Sequence, residues 1–397
     1  MECIFYIETL WGTPILNNQA EKLVDIAHKL DRWMRDDAWP LWWSVNRHPN
    51  GAFYEALDFS GKPVQSNIAR VRVQARQIYS FALAHKLGWR KAGQEAELEE
   101  SIVRFMDTCL GPEGIPGMLV DIEKGEMTDP QPNLYVTAFT LMALAQAGEV
   151  VGSAEHSARL SRLLEAIDSH LAYPEGNGYR ETLPATSTRL QNPHMHFFEA
   201  ILRLYSVTRL PAARERAEAL LDFVRRTFFD QRHDIVKERV NPESGTSENH
   251  YEPGHSMEWV WLLGWRSRLF DVPLDPFATR LYEHYCSAAI PEGSTPMGLT
   301  VDQKPVDPTC RLWSQTESLK AHLTIAELGP PDLRRAAEHW AVECASAISN
   351  NWLNTDCRGG WYDHFDADGE LIAKDMPGSM GYHLYVAIME LNRAAGV

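Results

Sequence analysis

Five short stretches of this chain carry titratable side chains at spacings that could do proton chemistry. His255 and Glu258 in EPGHSMEW stand three apart, and Trp313 and Glu317 in RLWSQTESLKA four apart. Both spacings put the pair on one face of a helix. His383 sits in GYHLYVAIMEL, His194, His196 and Glu199 in NPHMHFFEA, and Arg72 and Arg76 one turn apart in RVQARQIYSFA. An imidazole, with an ordinary pKa of about 6.5, can both take and return a proton near neutrality. Ionisable groups on otherwise apolar helices are costly to bury unless paired or used. Their appearance on several such helices therefore points to a site. Plainer readings stand beside this one. Any of the histidines can be a satisfied core residue, Arg72 a rim salt bridge, and Glu199 and Glu317 anchors for arginines.

Metal ligation is disfavoured by the spacing. His194 and His196, two apart, face different directions on a helix. His255-x-x-Glu258 lacks the two histidines four apart of the zinc-peptidase motif. Phosphate loops, nucleophile elbows and dinucleotide fingerprints are missing as well. The expectation is chemistry with no metal and no cofactor.

The formal net charge of −16, with no basic cluster to offset it, argues against nucleic acid and anionic membranes as partners. Six scattered cysteines without a C-x-x-C pair read as reduced thiols of a cytoplasmic protein. The start, MECIFYIETLWG, lacks the basic flank and apolar run of a signal peptide. No uninterrupted apolar stretch reads as long enough to cross a bilayer.

These residues must be positioned by helices, and the periodicity supplies two alternating sets. One is apolar around most of its circumference: 68–87, 132–148, 194–209, 255–271, 312–328 and 379–395. The other is amphipathic: 16–36, 93–111, 154–172, 211–229, 275–289 and 331–351. The connectors repeat too. GAFYEALDFSG (51–61) and GGWYDHFDADG (359–369) share a frame, with weaker copies at 117–125 and 298–305. Alternating runs ending in Asp-x-x-Gly read as small β-hairpins or turns. A helix that is hydrophobic on most sides needs cover on most sides, and a repeat near sixty residues points to a closed or stacked array. The expected fold is all-α: a single (α/α)6 barrel of six helical hairpins spanning residues 1–397, with β-hairpin loops at the active-site end.

Taken together and in order, RVQARQIYSFA, NPHMHFFEA, EPGHSMEW, RLWSQTESLKA and GYHLYVAIMEL resemble the N-acylglucosamine 2-epimerase superfamily over nearly the whole chain. The resemblance implies the same barrel and metal-free proton transfer at C2 of a reducing monosaccharide through a cis-enediolate. By motif it implies acid/base roles for His255 and His383, with Glu258 orienting His255 or binding a hydroxyl. It also implies Arg76 against the developing enediolate charge and His196 against the sugar. Arg72, Glu317, Trp313 and Tyr54 are the further candidates for substrate binding. The family also allows a homodimer.

One histidine serving C2 and C1 from a single face gives a ketose; reprotonation of C2 from the opposite face gives the 2-epimer. Mannose–fructose isomerisation is the expected reaction, and N-acylglucosamine 2-epimerisation the alternative. A phosphorylated sugar fits if Arg72, Lys62 or Arg47 line the mouth. Aromatics Trp39, Trp42, Trp43, Phe53, Tyr54, Trp313 and Trp361 can stack on a sugar or pack the core. From a different class, an (α/α)6 glycoside hydrolase would use Glu258 and Glu317 as its carboxylate pair.

Overall fold

The computed structural model describes residues 14–397 apart from 90–93, 242, 244, 245, 248 and 289; MECIFYIETLWG, and with it Cys3, lies outside the described residues. The main helices are of two kinds. α1 (Pro14–Trp33), α3 (Glu95–Cys109), α5 (Ala154–Ala166), α7 (Pro211–Thr227), α9 (Pro276–Ser287) and α11 (Pro331–Ala347) bury one stripe and wet the other. α2 (Val71–Lys86), α4 (Leu134–Val151), α6 (Gln191–Thr208), α8 (Pro253–Phe270), α10 (Leu312–Leu328) and α12 (Gly381–Ala395) are buried over most of their length. Each even-numbered helix packs against the next, and α12 returns to α2, which closes an inner ring. The odd-numbered helices cover it from outside, α1 lying against α12 and α11. This is the expected (α/α)6 barrel.

Close packing sets some residue choices. α8 approaches α10 so nearly that a Cβ on Gly264 would lie 2.2 Å from Thr324 Cγ2. α4 is long and apolar enough, by length and composition alone, to cross a bilayer, although Thr137, Gln146 and Glu149 interrupt its apolar run. Its place in the ring accounts for the composition, since the outer layer and two inner neighbours enclose it.

Every outer helix reaches the following inner helix through a long loop, while most returns from inner to outer helix are short. The loops repeat one device. The carboxylates of Asp58, Asp121, Asp230 and Asp366 each accept from backbone amides two to four residues on, at 2.8–3.3 Å. These are Asx-type turns. Gly61 and Gly369 then adopt φ of +78° and +82°, which an L side chain resists. The expected turns are present, and local hairpin pairings occur as well, but much of the pairing runs between repeats. Ala56–Leu57 pairs with Met376–Pro377, and His250–Tyr251, Pro296–Thr300, Pro305–Arg311 and His364–Phe365 form one antiparallel sheet. Strands of two or three residues are too small to stand alone, so the loops stitch one another into a rim.

α1 continues through a wider π-type turn at Met34–Ala38 into a last segment, Trp39–Ser44. This segment carries Trp42, whose ring stacks on Trp361 at 4.0 Å and 8° and whose indole N–H donates to Gly359 O at 3.1 Å. Both rings are buried, so the start of the barrel is tied to its last loop by core packing. Trp42→Ala is expected to cost about 3–5 kcal/mol of stability, read by denaturant unfolding. The exposed Val306→Ala control should stay within about 0.5 kcal/mol; equal losses would remove Trp42 from this role.

Candidate active site

The inner helices point their N-terminal turns at the loop end of the barrel. Arg72, Tyr135, Asn192, His255, Trp313 and His383, one from the first turn of each inner helix, line a single cleft of about 210 Å³. Each helix start carries roughly half a positive charge, so the cleft favours negative charge developing within it.

His255 is fixed from a loop. Its Nδ1–H donates to Glu238 Oε2 at 3.0 Å, with Glu252 Oε2 at 3.6 Å. Glu238 is held in turn by the Gln191 amide at 2.9 Å and the Glu252 backbone N–H at 3.2 Å. Burial alone would strip the proton from this imidazole, but the Glu238 and Glu252 carboxylates outweigh it and raise its pKa to about 10. The two carboxylates thus favour the protonated ring at neutral pH.

His383 lies in the opposite state. Its Nδ1 bonds Glu317 Oε1 at 2.8 Å, and the Glu317 Oε2 forms an ion pair with Lys320 Nζ at 2.6 Å. Burial first, then the nearby Arg76 and Lys320 charges, press its pKa well below the ordinary imidazole value. It is a neutral ring facing the cleft. Trp313 stands beside both histidines, ring centroids 5.0 Å from His255 and 5.9 Å from His383. A Cβ on Gly254 would come within 2.7 Å of that indole, so only glycine before His255 leaves Trp313 its place.

Around this pair lies a buried polar layer. His196 Nδ1 lies 3.1 Å from Glu199 Oε2 and 3.6 Å from Glu258 Oε1, and burial lowers its pKa to about 4. Tyr382 donates its phenol to Glu199. Glu258 lines the cleft, its carboxyl oxygens without a hydrogen-bond partner among the described residues; burial, then the Glu317 charge, push its pKa well above the usual range. Arg76 donates to Ser379 O at 3.0 Å and to the Tyr135 hydroxyl at 2.8 Å, with its guanidinium 4.0 Å over Phe139. The rim adds Arg70 paired with Glu55, Arg311 paired with Asp363, and Arg72, which makes no ion pair or hydrogen bond among the described residues.

Three imidazole–carboxylate groups bring ligand-type atoms within 4.8 Å of one another: His196–Glu199–Glu258, Glu238–Glu252–His255 and Glu258–Glu317–His383. In each the imidazole is already hydrogen-bonded to a carboxylate through Nδ1. That pattern suits proton transfer as well as it suits a metal.

The structure brings together His255, His383, Glu258, Arg76, His196, Arg72 and Trp313. Three expectations need correction. Tyr54 does not line the cleft; it packs edge-on against His48 and against the core. Glu317 sits behind His383 and not at its face. Glu258 does not orient His255; Glu238 does. The other aromatics, Trp39, Trp42, Trp43, Phe53 and Trp361, are core. Lys62 does not reach the cleft, and Arg47 is tied to Glu100. His194, caught between Leu190 O and the Tyr179 N–H, is structural.

The fold is an (α/α)6 barrel with a polar cleft at its loop end, lined by imidazoles, carboxylates and guanidinium groups. Residues 51–387 match the model of the N-acylglucosamine 2-epimerase (GlcNAc 2-epimerase) family. A Rhizobium meliloti (strain 1021) protein named mannose-6-phosphate isomerase is 33% identical over 382 residues, covering 92% of this chain and 96% of that one. Solved structures share the fold. A D-mannose isomerase has a TM-score of 0.78 at 18% identity, covering 97% of this chain and 99% of its own. The cellobiose 2-epimerase of Spirochaeta thermophila DSM 6192 has a TM-score of 0.83 at 19% identity, covering 94% and 97%. The chain belongs to the N-acylglucosamine 2-epimerase family and is a sugar isomerase or epimerase.

If the imidazolium of His255 is needed, activity is lost as pH rises through about 10. Glu238→Gln removes the main charge that raises this pKa, so the alkaline limb of kcat/KM should move down toward about 6.5. An unmoved limb would show that His255 is not the group titrating.

Proposed function

We propose that this enzyme interconverts an aldose and its ketose, D-mannose and D-fructose first, by moving the C2 proton of the ring-opened sugar. The supporting observation is that His255 and His383 line one cleft, each anchored through Nδ1 to a buried carboxylate and set in opposed electrostatic surroundings. Nε2 of His383 takes the C2 proton; the C–H electrons form the C1=C2 bond and the carbonyl electrons move to O1. His255 gives its proton to O1, leaving an enediol. His383, whose acquired proton exchanges with solvent during the enediol stage, then protonates C1 while O2 passes a proton back to His255, and the ketose results with both imidazoles restored. Arg76 and the six helix starts stabilise the oxyanion stage. Each positioned proton transfer supplies about 10²–10⁴-fold.

Two observations support a phosphorylated hexose as a second reading. Arg72 is a cleft guanidinium with a buried, unpartnered Nε, and the 33%-identical relative is named for mannose 6-phosphate. The hydrolase reading loses support, because Glu317 faces His383 and Lys320 and leaves Glu258 without a second catalytic carboxylate from the expected pair.

The test is incubation of a panel of free and 6-phosphorylated hexoses, including N-acylglucosamine, in D₂O, with product chromatography. Solvent deuterium at C1 of fructose formed from mannose is the expected result, surviving EDTA. Turnover should fall about 10²-fold or more in both His255→Ala and His383→Ala. Deuterium in no sugar, or turnover in His383→Ala near the wild-type value, would sink the proposal. A 6-phosphate substrate is supported if Arg72→Met raises KM for it more than for mannose.

A further inference from the structure

Lys320 is a fully buried lysine below the cleft, one turn beyond Glu317 on α10. Its ammonium lies 2.6 Å from Glu317 Oε2 and 3.5 Å above the centre of the Trp261 ring. The other oxygen of Glu317 meets His383 Nδ1 at 2.8 Å. A lysine, a carboxylate and an imidazole are thus joined by successive contacts, the last of them lining the cleft. Nothing in the sequence motifs distinguishes Lys320 from a helix-surface lysine.

The chemistry of the middle member decides what the outer one does. An ionised carboxylate only accepts, so it requires His383 to carry its proton on Nδ1 and to present a lone pair at Nε2. A protonated carboxyl can donate to Nδ1 instead, and the imidazole proton then moves to Nε2, where the ring cannot act as a base. Glu317 has strong reasons to take up a proton. It is fully buried, and Glu258 on α8 and Glu199 on α6 bring further buried carboxyls to the same layer. Lys320 is the charge in ion-pair contact with it. Arg76 on α2, His196 on α6 and His255 on α8 face His383 from the remaining sides.

We propose that Lys320 is a positioning residue that acts through Glu317 to hold His383 in the tautomer with its free lone pair in the cleft. Burial raises the Glu317 carboxyl to about 7, with Lys320 the leading influence opposing it. The inference rests on His383 being the carbon base proposed above, but its central observable is a proton position, which exists whether or not the enzyme turns over.

The experiment pairs a pH profile with nitrogen-15 NMR of imidazole-labelled protein, the His383 signals being identified by their loss in His383→Gln. Wild-type protein at pH 8 should carry the proton on Nδ1, and its acid limb of kcat/KM should fall near 7. In Lys320→Met the limb should move up by about one pH unit or more, lowering kcat/KM at pH 7 toward about ten-fold below wild type. The proton should shift to Nε2 over the same range. In Glu317→Gln, whose amide oxygen accepts from Nδ1 without titrating, adding Lys320→Met should move neither readout. That double variant also removes both buried charges together, so the comparison survives if Lys320→Met alone unfolds. A lower melting temperature and kcat with the acid limb and tautomer unmoved would overturn the inference, as would a limb that Lys320→Met still shifts in the Glu317→Gln background. Full turnover in His383→Ala would instead defeat the proposed reaction and leave the tautomer result standing.

Discussion

An imidazole works as a base at carbon only if one nitrogen is anchored and the other holds a lone pair toward the substrate. The buried carboxylate behind each cleft histidine is the constraint on which the rest of this site depends. Glu238 and Glu317 make the same hydrogen bond, at 3.0 and 2.8 Å, yet the histidines end in opposite states. The difference lies one contact further out. Glu238 is fixed by neutral donors, Gln191 and a backbone amide, and Glu252 adds a second negative charge beside His255. Glu317 is balanced by Lys320, with Arg76 near the ring. Environments that push two like groups apart in pKa are how one cleft obtains an acid and a base.

The barrel supplies what such a pair requires. Because the inner helices are threaded in one sense, their first turns meet at one end, together with the long loops. His255, Trp313 and His383 come from three successive inner helices, so each side chain is fixed by a different rigid rod packed on both neighbours. Glu238 and Asp363 come from the loops, whose strand pairing between repeats holds them against helix starts. A site spread over six helices needs the ring closed, which is why the Trp42–Trp361 stack at the seam matters to residues far from it.

Much of this was legible in the sequence because burial follows period. The helix sets, their alternation and the histidines on apolar helices all follow from which faces must be covered. α6 begins at Gln191 and not His194, since Pro193 is tolerated in a first turn. What could not be read lies where no period operates. Glu238 is seventeen positions before His255 in a segment of two- and three-residue strands. Tyr54 shared a repeated frame with Tyr362, but the frame encodes a turn and not a direction into the cleft. Glu317 was found by spacing and misplaced by function, because an i, i+4 pair says which face two residues share and not which of them meets the ligand.

The asymmetry of the two histidines also bears on the outcome of the reaction. A 2-epimerase must lift a proton from one face of C2 and deliver one to the other, so each imidazole must serve as base in one direction. His255, held as an imidazolium up to about 10 by two carboxylates, is a reluctant base for a carbon acid near neutrality. It is well suited to protonating an oxygen. His383, neutral and backed by Glu317, is suited to carbon. One carbon base and one oxygen acid are what aldose–ketose isomerisation needs, because C2 and C1 of a cis-enediol present their reactive faces to the same side. Under the reaction proposed above, this division of labour fits ketose formation. Loosening the carboxylate grip on His255 is the change that would shift the balance.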